Sequence, residues 1–366
     1  MSAPFVLAAG GTGGHLFPAQ ALAGELMRRG RRVVVMTDGR GHNYGNAFPG
    51  AEIATVPAAS FAGRSAVGRI AALGVIALGI ATALTKLLNL RPRAVVGFGG
   101  YPSLPVMMAA TLARLPTALH EQNAVLGRVN RMLAPRVARI AASFPFARFA
   151  PKDSQRVVFT GNPVRQEAVA LRGTDYVPPA PDGPIRLLIF GGSQGGRALS
   201  ELVPEGLARL PESLRARLDI VQQARAEDVE MVQSAYHAAG LRCEVAKFFT
   251  DLPRRMAAAH LVIARSGAST LSELTVIGRP SILIPYPFAM DDHQAANADM
   301  LGKAGAAWVI RQDALDAGKL AQLLAEIFAD PVTLSRRAAA AKGLGHPDAA
   351  ARLADLAEAL AKGAPA

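Results

Sequence analysis

The chain has 366 residues, 51% hydrophobic and 19% charged, with a formal net charge of +12 and one cysteine. That length predicts two domains of α/β size, and the composition excludes a disordered chain. The lone Cys243 excludes a disulfide framework and a cysteine-rich zinc site, and fits a reducing compartment. The excess of arginine favours anionic partners (nucleotide phosphates, nucleic acid or an anionic membrane surface) without choosing among them.

The opening MSAPFVLAAGGTGG lacks a basic n-region and has only a short apolar run, so it does not read as a signal peptide. Apolar runs at 5–9, 33–37, 94–98 and 137–143 are predicted strands, and 20–29 is a predicted helix stopped by Gly30. Such alternation means βαβ units and a parallel sheet. GTDYVPPAPDGP (173–184) reads as a surface loop or linker. IRLLIFGGSQGG then repeats the opening theme of strand, glycine turn and helix, and runs at 219–222, 261–264, 281–284 and 306–310 continue it. The end, 348–362, is an alanine-rich amphipathic helix. The predicted fold class is α/β, with two doubly wound Rossmann-like domains facing across a cleft. Ligands in such sheets sit beyond the carboxyl ends of the strands, so both glycine loops would line that cleft.

Glycine after a strand permits a tight turn and lets main-chain N–H groups approach a phosphate. A ligand-free turn is the plainer reading of one such loop; two, each opening a domain, favour phosphate. Neither common signature fits. The dinucleotide fingerprint begins at Gly11-Thr12-Gly13, but Leu16 stands where its third glycine belongs. Asp38 alone favours NAD, and an isolated aspartate at a strand end is as readily a solvated loop residue. Gly191 to Gly196 has the ATPase glycine spacing, but Arg197 and Ala198 replace the lysine and the hydroxyl. RSGASTLSE (265–273) offers small residues at a helix start, with Glu273 one turn in to hold a ribose. Thr270-x-x-Glu273 is equally a capping box.

Together GGTGGHLFPA (10–19), GFGGYPS (97–103), HEQNAVLGRVNR (120–131), GNPVR (161–165), GGSQGG (191–196), RSGASTLSE and DDHQAANA (291–298) occur in an order that resembles the MurG family. These are the bacterial N-acetylglucosaminyltransferases that convert lipid I to lipid II in peptidoglycan synthesis. The resemblance implies a GT-B glycosyltransferase with UDP-N-acetylglucosamine as donor. It implies an N-terminal acceptor and membrane domain at 1–164, a UDP-sugar domain at 165–344, and a helix at 345–366 returning to the first. By similarity the donor contacts are Thr12, Gly13, Gly14, Asn123, Arg165, Ser193, Phe249, Ala268, Ser269, Thr270, Leu271, Ser272, Glu273 and Gln294. Glu273 would hold the ribose, Gln294 and Asn123 the sugar, Arg165 and Ser193 the diphosphate, and Phe249 the uracil through its main chain. Ser269 and Leu271 differ from familiar variants, and 39–50 is assigned nothing.

The family chemistry inverts the anomeric carbon to give a β-1,4 link to the C4 hydroxyl of muramic acid. That requires a base and a stabilised diphosphate. His15 directly follows the glycines, and imidazole is the side chain whose unperturbed chemistry suits a base at neutral pH, although this residue could simply cap a helix. Glu121 is the rival base, or could orient a partner; His120 reads as structural. Helix starts, glycine N–H groups and Arg165 can supply the electrostatics, so no obligatory metal is expected. Asp291-Asp292-His293 reads as a polar loop before a metal site.

Residues 70–85 are sixteen uncharged positions, short of the roughly twenty that span a bilayer. Gly74 and Gly79 interrupt them, and Arg64, Arg69, Lys86, Arg91 and Arg93 flank them. A buried helix is one reading; an apolar surface pressed into anionic headgroups is the sharper one. Gly99, Gly100 and Tyr101 form a further loop that could take the lipid I diphosphate. This implies a peripheral protein at the cytoplasmic face of the inner membrane. The alternatives are a UDP-N-acetylglucosamine 2-epimerase, which needs no lipid surface, and a non-catalytic UDP-sugar or membrane binder. Nucleic acid is disfavoured, because the basic residues are scattered without interleaved aromatics.

Overall fold

A computed structural model describes residues 2–11, 13–39, 48–61, 63, 65–191 and 196–363. Thr12, Ser193, Arg64 and residues 40–47 therefore lie outside the described residues. The chain forms two compact units, Met1–Arg165 with His346–Ala366, and Gln166–Gly345.

The first unit runs β1 (Phe5–Ala8), α1 (Gly13–Arg28), β2 (Val33–Thr37), β3 (Glu52–Thr55), α2 (Ala66–Leu90), β4 (Ala94–Gly97) and α3 (Gly100–Leu112). It continues through β5 (Thr117–Glu121), α4 (Arg128–Leu133), β6 (Arg139–Ala142) and β7 (Val157–Phe159). Among the described residues these strands make a seven-stranded sheet in the order β3-β2-β1-β4-β5-β6-β7, every pairing parallel. The order reverses between β1 and β4, where two successive loops part to opposite sides and open a crevice at the carboxyl ends. The second unit holds α5 (Gln166–Ala170), β8 (Ile185–Phe190), α6 (Gly196–Ala208), α7 (Glu212–Arg215), β9 (Leu218–Gln223), α8 (Val229–Ala238) and β10 (Cys243–Ala246). Then come α9 (Leu252–Ala258), β11 (Leu261–Ala264), α10 (Ala268–Ile277), β12 (Ser281–Leu283), α11 (His293–Lys303), β13 (Ala307–Val309), α12 (Ala317–Ala329) and α13 (Pro331–Gly343). Its parallel order β10-β9-β8-β11-β12-β13 reverses between β8 and β11. Strands β1, β2, β4 and β11 are near-continuously apolar because both faces of each sheet are covered there. Residues 173–184 form an irregular, mostly exposed stretch inside the second unit rather than its border.

The last helix, α14 (Ala349–Ala361), packs in the first unit against α1. Leu353, Ala354, Ala357 and Leu360 join Leu22, Leu26 and the β1 side chains Phe5 and Leu7 in one core. At its rim Arg29 contacts Glu25, Asp355 and Glu358, and Arg31 contacts Glu358. Hydrogen bonds from Arg28 and Arg29 hold the buried Glu25 carboxyl below its ordinary range, against the opposing effect of burial.

The opposite sheet face carries α2 and α3. Ala72, Ile76, Gly79, Ala83 and Leu87 form the buried stripe of α2, whereas Val67, Ile70, Leu73 and Leu78 stand exposed. Gly79 is a contact point: a Cβ there would lie 2.0 Å from the Pro57 carbonyl oxygen. A Cβ on Gly74 would meet nothing within 4 Å. Gly79→Ala is therefore expected to destabilise by about 1–3 kcal/mol through overpacking. Gly74→Ala is expected to stabilise by about 0.5–1 kcal/mol through helix propensity. Denaturant unfolding of the two variants checks the opposite signs.

Candidate functional site

Three loops of the first unit leave the carboxyl ends of β1, β4 and β5, which are neighbours in the sheet. After β1, Gly10 lets the chain lie against α3, since a Cβ would sit 2.8 Å from both Pro102 and Thr37. Gly11 turns the chain at φ +92°, Gly13 and Gly14 open α1, and His15 lies in its first turn. After β4, Gly99 and Gly100 take φ +80° and +70°, which glycine tolerates, and α3 begins at once. A Cβ on Gly100 would come 3.1 Å from His15 Cδ2 and 3.3 Å from its Nε2, so the imidazole edge rests on this loop. The Tyr101 hydroxyl donates to Asp38 Oδ2 at 2.9 Å. Asp38 is thus buried against a tyrosine rather than solvated.

The third loop hangs on Glu121, which is only 2% exposed. Its Oε1 accepts from the Asn123 main-chain N–H and side-chain amide at 3.1 and 3.2 Å. Its Oε2 accepts from the Gly127 N–H at 2.9 Å and the Asn130 amide at 2.8 Å. Four donors on one carboxylate tie β5, the 122–127 loop and α4 together. His120 and Gln122 lie on the other face of the strand, by the two-residue alternation of side chains. His120 is fully buried beside Phe98, and Gln122 bridges it to His15 through contacts of 3.1 Å on each side. Burial pushes the His120 imidazole down to about 4. Arg165, at the end of the unit, places its guanidinium 5.4 Å from the centre of the Phe17 ring on α1.

In the second unit the loop after β11 leads into α10. Gly267 is the N-cap and gives no side-chain cap, so the N–H groups of Ala268, Ser269 and Thr270 head the helix. Thr270 is already inside the first turn, so the capping box allowed by the sequence does not form. Leu271 and Glu273 are buried, and Ser272 bonds back to the Ala268 carbonyl at 2.8 Å. Gln294, on α11, accepts the N–H groups of Ser266 and Tyr286 with its Oε1 at 3.2 and 3.0 Å. It thereby fastens the β11 loop to the β12 loop and leaves its amide nitrogen as its donor group. Buried Arg265 donates to the carbonyls of Ile284 and Pro285. Phe249 stands apart, on the loop after edge strand β10, buried with the Arg255 guanidinium 4.2 Å from its ring centre. Asp292 pairs with Arg311 at 2.9 Å, and His293 Nδ1 contacts the Met290 carbonyl at 2.8 Å, as in a polar loop.

Residues 5–142 match the glycosyltransferase family 28 N-terminal domain, and residues 186–353 match the family 28 C-terminal domain. The chain belongs to glycosyltransferase family 28. Curated relatives cover nearly its whole length. The UDP-N-acetylglucosamine–N-acetylmuramyl-(pentapeptide) pyrophosphoryl-undecaprenol N-acetylglucosamine transferase of Paramagnetospirillum magneticum is 51% identical over 96% of this chain and 95% of its own. The protein of the same name from Methylobacterium nodulans is 54% identical over 96% and 95%. Among solved structures, Acinetobacter baumannii MurG superposes with a TM-score of 0.79 at 29% identity, covering 98% of this chain and 99% of that one. Two parallel α/β units are the GT-B fold of family 28.

Gln122 and Asn130 are positions to which the sequence alone assigned no role. The available signal was the alternation in HEQN, which sends His120 and Gln122 to one face and Glu121 to the other. His120 also sets a pH dependence. An unfolded histidine titrates near 6.5, so the unfolded chain binds a proton that the buried ring refuses down to about 4. Stability is complete above about pH 6.5 and falls as pH drops toward 4, on the order of 3 kcal/mol from this residue. His260 is shifted the same way, to about 4. Thermal unfolding at neutral and mildly acid pH should therefore show a smaller acid loss in His120→Gln than in the wild type.

Proposed function

We propose that this member of family 28 transfers N-acetylglucosamine from UDP-N-acetylglucosamine to the C4 hydroxyl of muramic acid in undecaprenyl-diphosphate-linked muramyl pentapeptide. The observation that carries this reading is identity above 50% over 96% of the chain to transferases of that name. The product is a β-1,4-linked disaccharide, formed with inversion. The acceptor hydroxyl attacks the anomeric carbon, the bond from that carbon to the UDP oxygen breaks, and the hydroxyl proton passes to a base.

His15 is that base. It lies in the first turn of α1, against the Gly99–Gly100 loop. Glu121 is a poorer candidate because both its oxygens already accept hydrogen bonds, and its role is to hold the 122–131 corner. Asn123, Gly13 and Gly14 take the donor sugar side in the first unit, with Arg165 toward the diphosphate. In the second unit, the N–H groups heading α10 receive the diphosphate, Glu273 the ribose, Phe249 the uracil and Gln294 the sugar. Thr12 and Ser193, outside the described residues, belong to the same set. Preorganised N–H groups and a guanidinium favour the leaving group as its charge grows. The acceptor diphosphate falls to the main chain at Gly99, Gly100 and Tyr101, because the Tyr101 hydroxyl hydrogen is committed to Asp38.

UDP release with a soluble lipid I analogue tests the reaction. His15→Ala is expected to lower kcat by about 10²–10⁴-fold with UDP affinity nearly unchanged. Turnover close to wild type would remove His15 as base.

The exposed face of α2 supports a peripheral position on the cytoplasmic side of the inner membrane. Val67 is 77% and Ile70 70% exposed, with Leu73, Leu78 and Leu88 also open and exposed Arg69, Arg91 and Arg93 near the helix ends. A helix that is apolar all round but buried on one stripe needs a second apolar environment. Ile70→Glu/Leu73→Glu is expected to weaken binding to anionic vesicles at least about tenfold. Turnover of a short-chain acceptor should stay within about twofold, since the pair lies away from the reacting groups.

A further inference from the structure

We infer that Gln122 and His120 are positioning residues that fix the tautomer of His15, keeping its proton on Nδ1 and its lone pair on Nε2. The inference deepens the reading of His15 as base and rests on it.

The argument runs outward from the core. His120 Nε2 lies 3.3 Å from the Gly161 carbonyl oxygen, which can only accept, so Nε2 carries the proton. The Ser143 hydroxyl, also 3.3 Å away, can adapt to either role. The buried ring stays neutral near pH 7, so Nδ1 is a bare lone pair. Gln122 Nε2 faces that lone pair at 3.1 Å and the Phe98 carbonyl at 3.0 Å, one amide hydrogen for each. Turning the amide over would set Oε1 against two acceptors, so its orientation is fixed. Oε1 then meets His15 Nδ1 at 3.1 Å, and that nitrogen must donate. The remaining lone pair of His15 is on Nε2, the edge that lies beside Gly100 at the head of α3.

The chain of contacts orients without relaying. When the acceptor hydroxyl loses its proton to Nε2, His15 becomes an imidazolium whose Nδ1–H remains on Gln122, and no proton moves toward His120. A carboxylate in place of Gln122 would raise the basicity of the imidazole, whereas a neutral amide orients it without adding charge. Gly161, whose carbonyl starts the chain, takes φ +76° and packs against His346, so the tautomer is set by fixed backbone.

Side-chain ¹⁵N spectra of histidine-labelled protein, recorded on the alkaline side of the imidazole titration and assigned against His15→Ala, read the tautomer directly. The wild type is expected to show His15 protonated on Nδ1. Gln122→Met should release it to the Nε2–H form or a mixture. The same variant should lower kcat about ten- to a hundredfold, with the KM for UDP-N-acetylglucosamine within about twofold. A wild-type His15 protonated on Nε2 overturns the inference, even if the variant does not fold. So does an Nδ1–H signal that survives Gln122→Met. A tautomer that behaves as expected while kcat stays unchanged upholds the positioning and overturns the general-base reading instead.

Discussion

One buried carboxylate shapes the carboxyl end of the first unit's sheet. Glu121 leaves water at the tip of β5, and an ion so placed is tolerated only when donors surround it. Two main-chain N–H groups and two side-chain amides do so. Because those donors come from the 122–127 loop and from α4, satisfying the charge also shapes the corner. Gln122 emerges from that corner on the opposite face, where it meets His120 and His15. A structural carboxylate on one side of a strand thus borders, through Gln122, the proposed base on the other.

The same economy of backbone appears in the glycines. Gly10, Gly97 and Gly79 are places where a methyl group would strike a neighbour, and Gly11, Gly99 and Gly100 are places where the chain turns through positive φ. Gly79 and Gly97 serve close packing of α2 and α3, whereas Gly10, Gly11, Gly99 and Gly100 lie in the loops at the crevice where the sheet order reverses. In the second unit the β11 loop and α10 occupy the corresponding reversal, fastened there by Gln294.

The alternation of apolar runs made the two α/β units legible before any coordinates, because buried parallel strands carry their hydrophobicity on both faces. What stayed hidden has physical reasons. Strand β5 escaped notice since its last two residues, His120 and Glu121, are polar, and only tertiary partners make their burial tolerable. The short β3, β7 and β10 have partly exposed positions and no strong apolar run. α1 begins seven residues before the periodic segment at 20–29, because glycines and Pro18 mask its first turns. Asp38 and Thr270 were ambiguous in sequence; a tyrosine hydroxyl decides the first and the position of Gly267 the second. For α2, the charge-free count stopped at sixteen residues, while the helix runs for 25 and buries one narrow stripe.

The division of labour at the HEQN corner is the central claim: Glu121 shapes, His15 reacts. Amide hydrogen exchange and turnover measured together on Glu121→Gln test it most directly. The account predicts lost protection at one of the two amides, Asn123 or Gly127, since glutamine keeps a single acceptor oxygen, with a partial fall in kcat well short of His15→Ala. Unchanged protection at those amides with turnover as low as in His15→Ala would contradict it and make Glu121 itself the base.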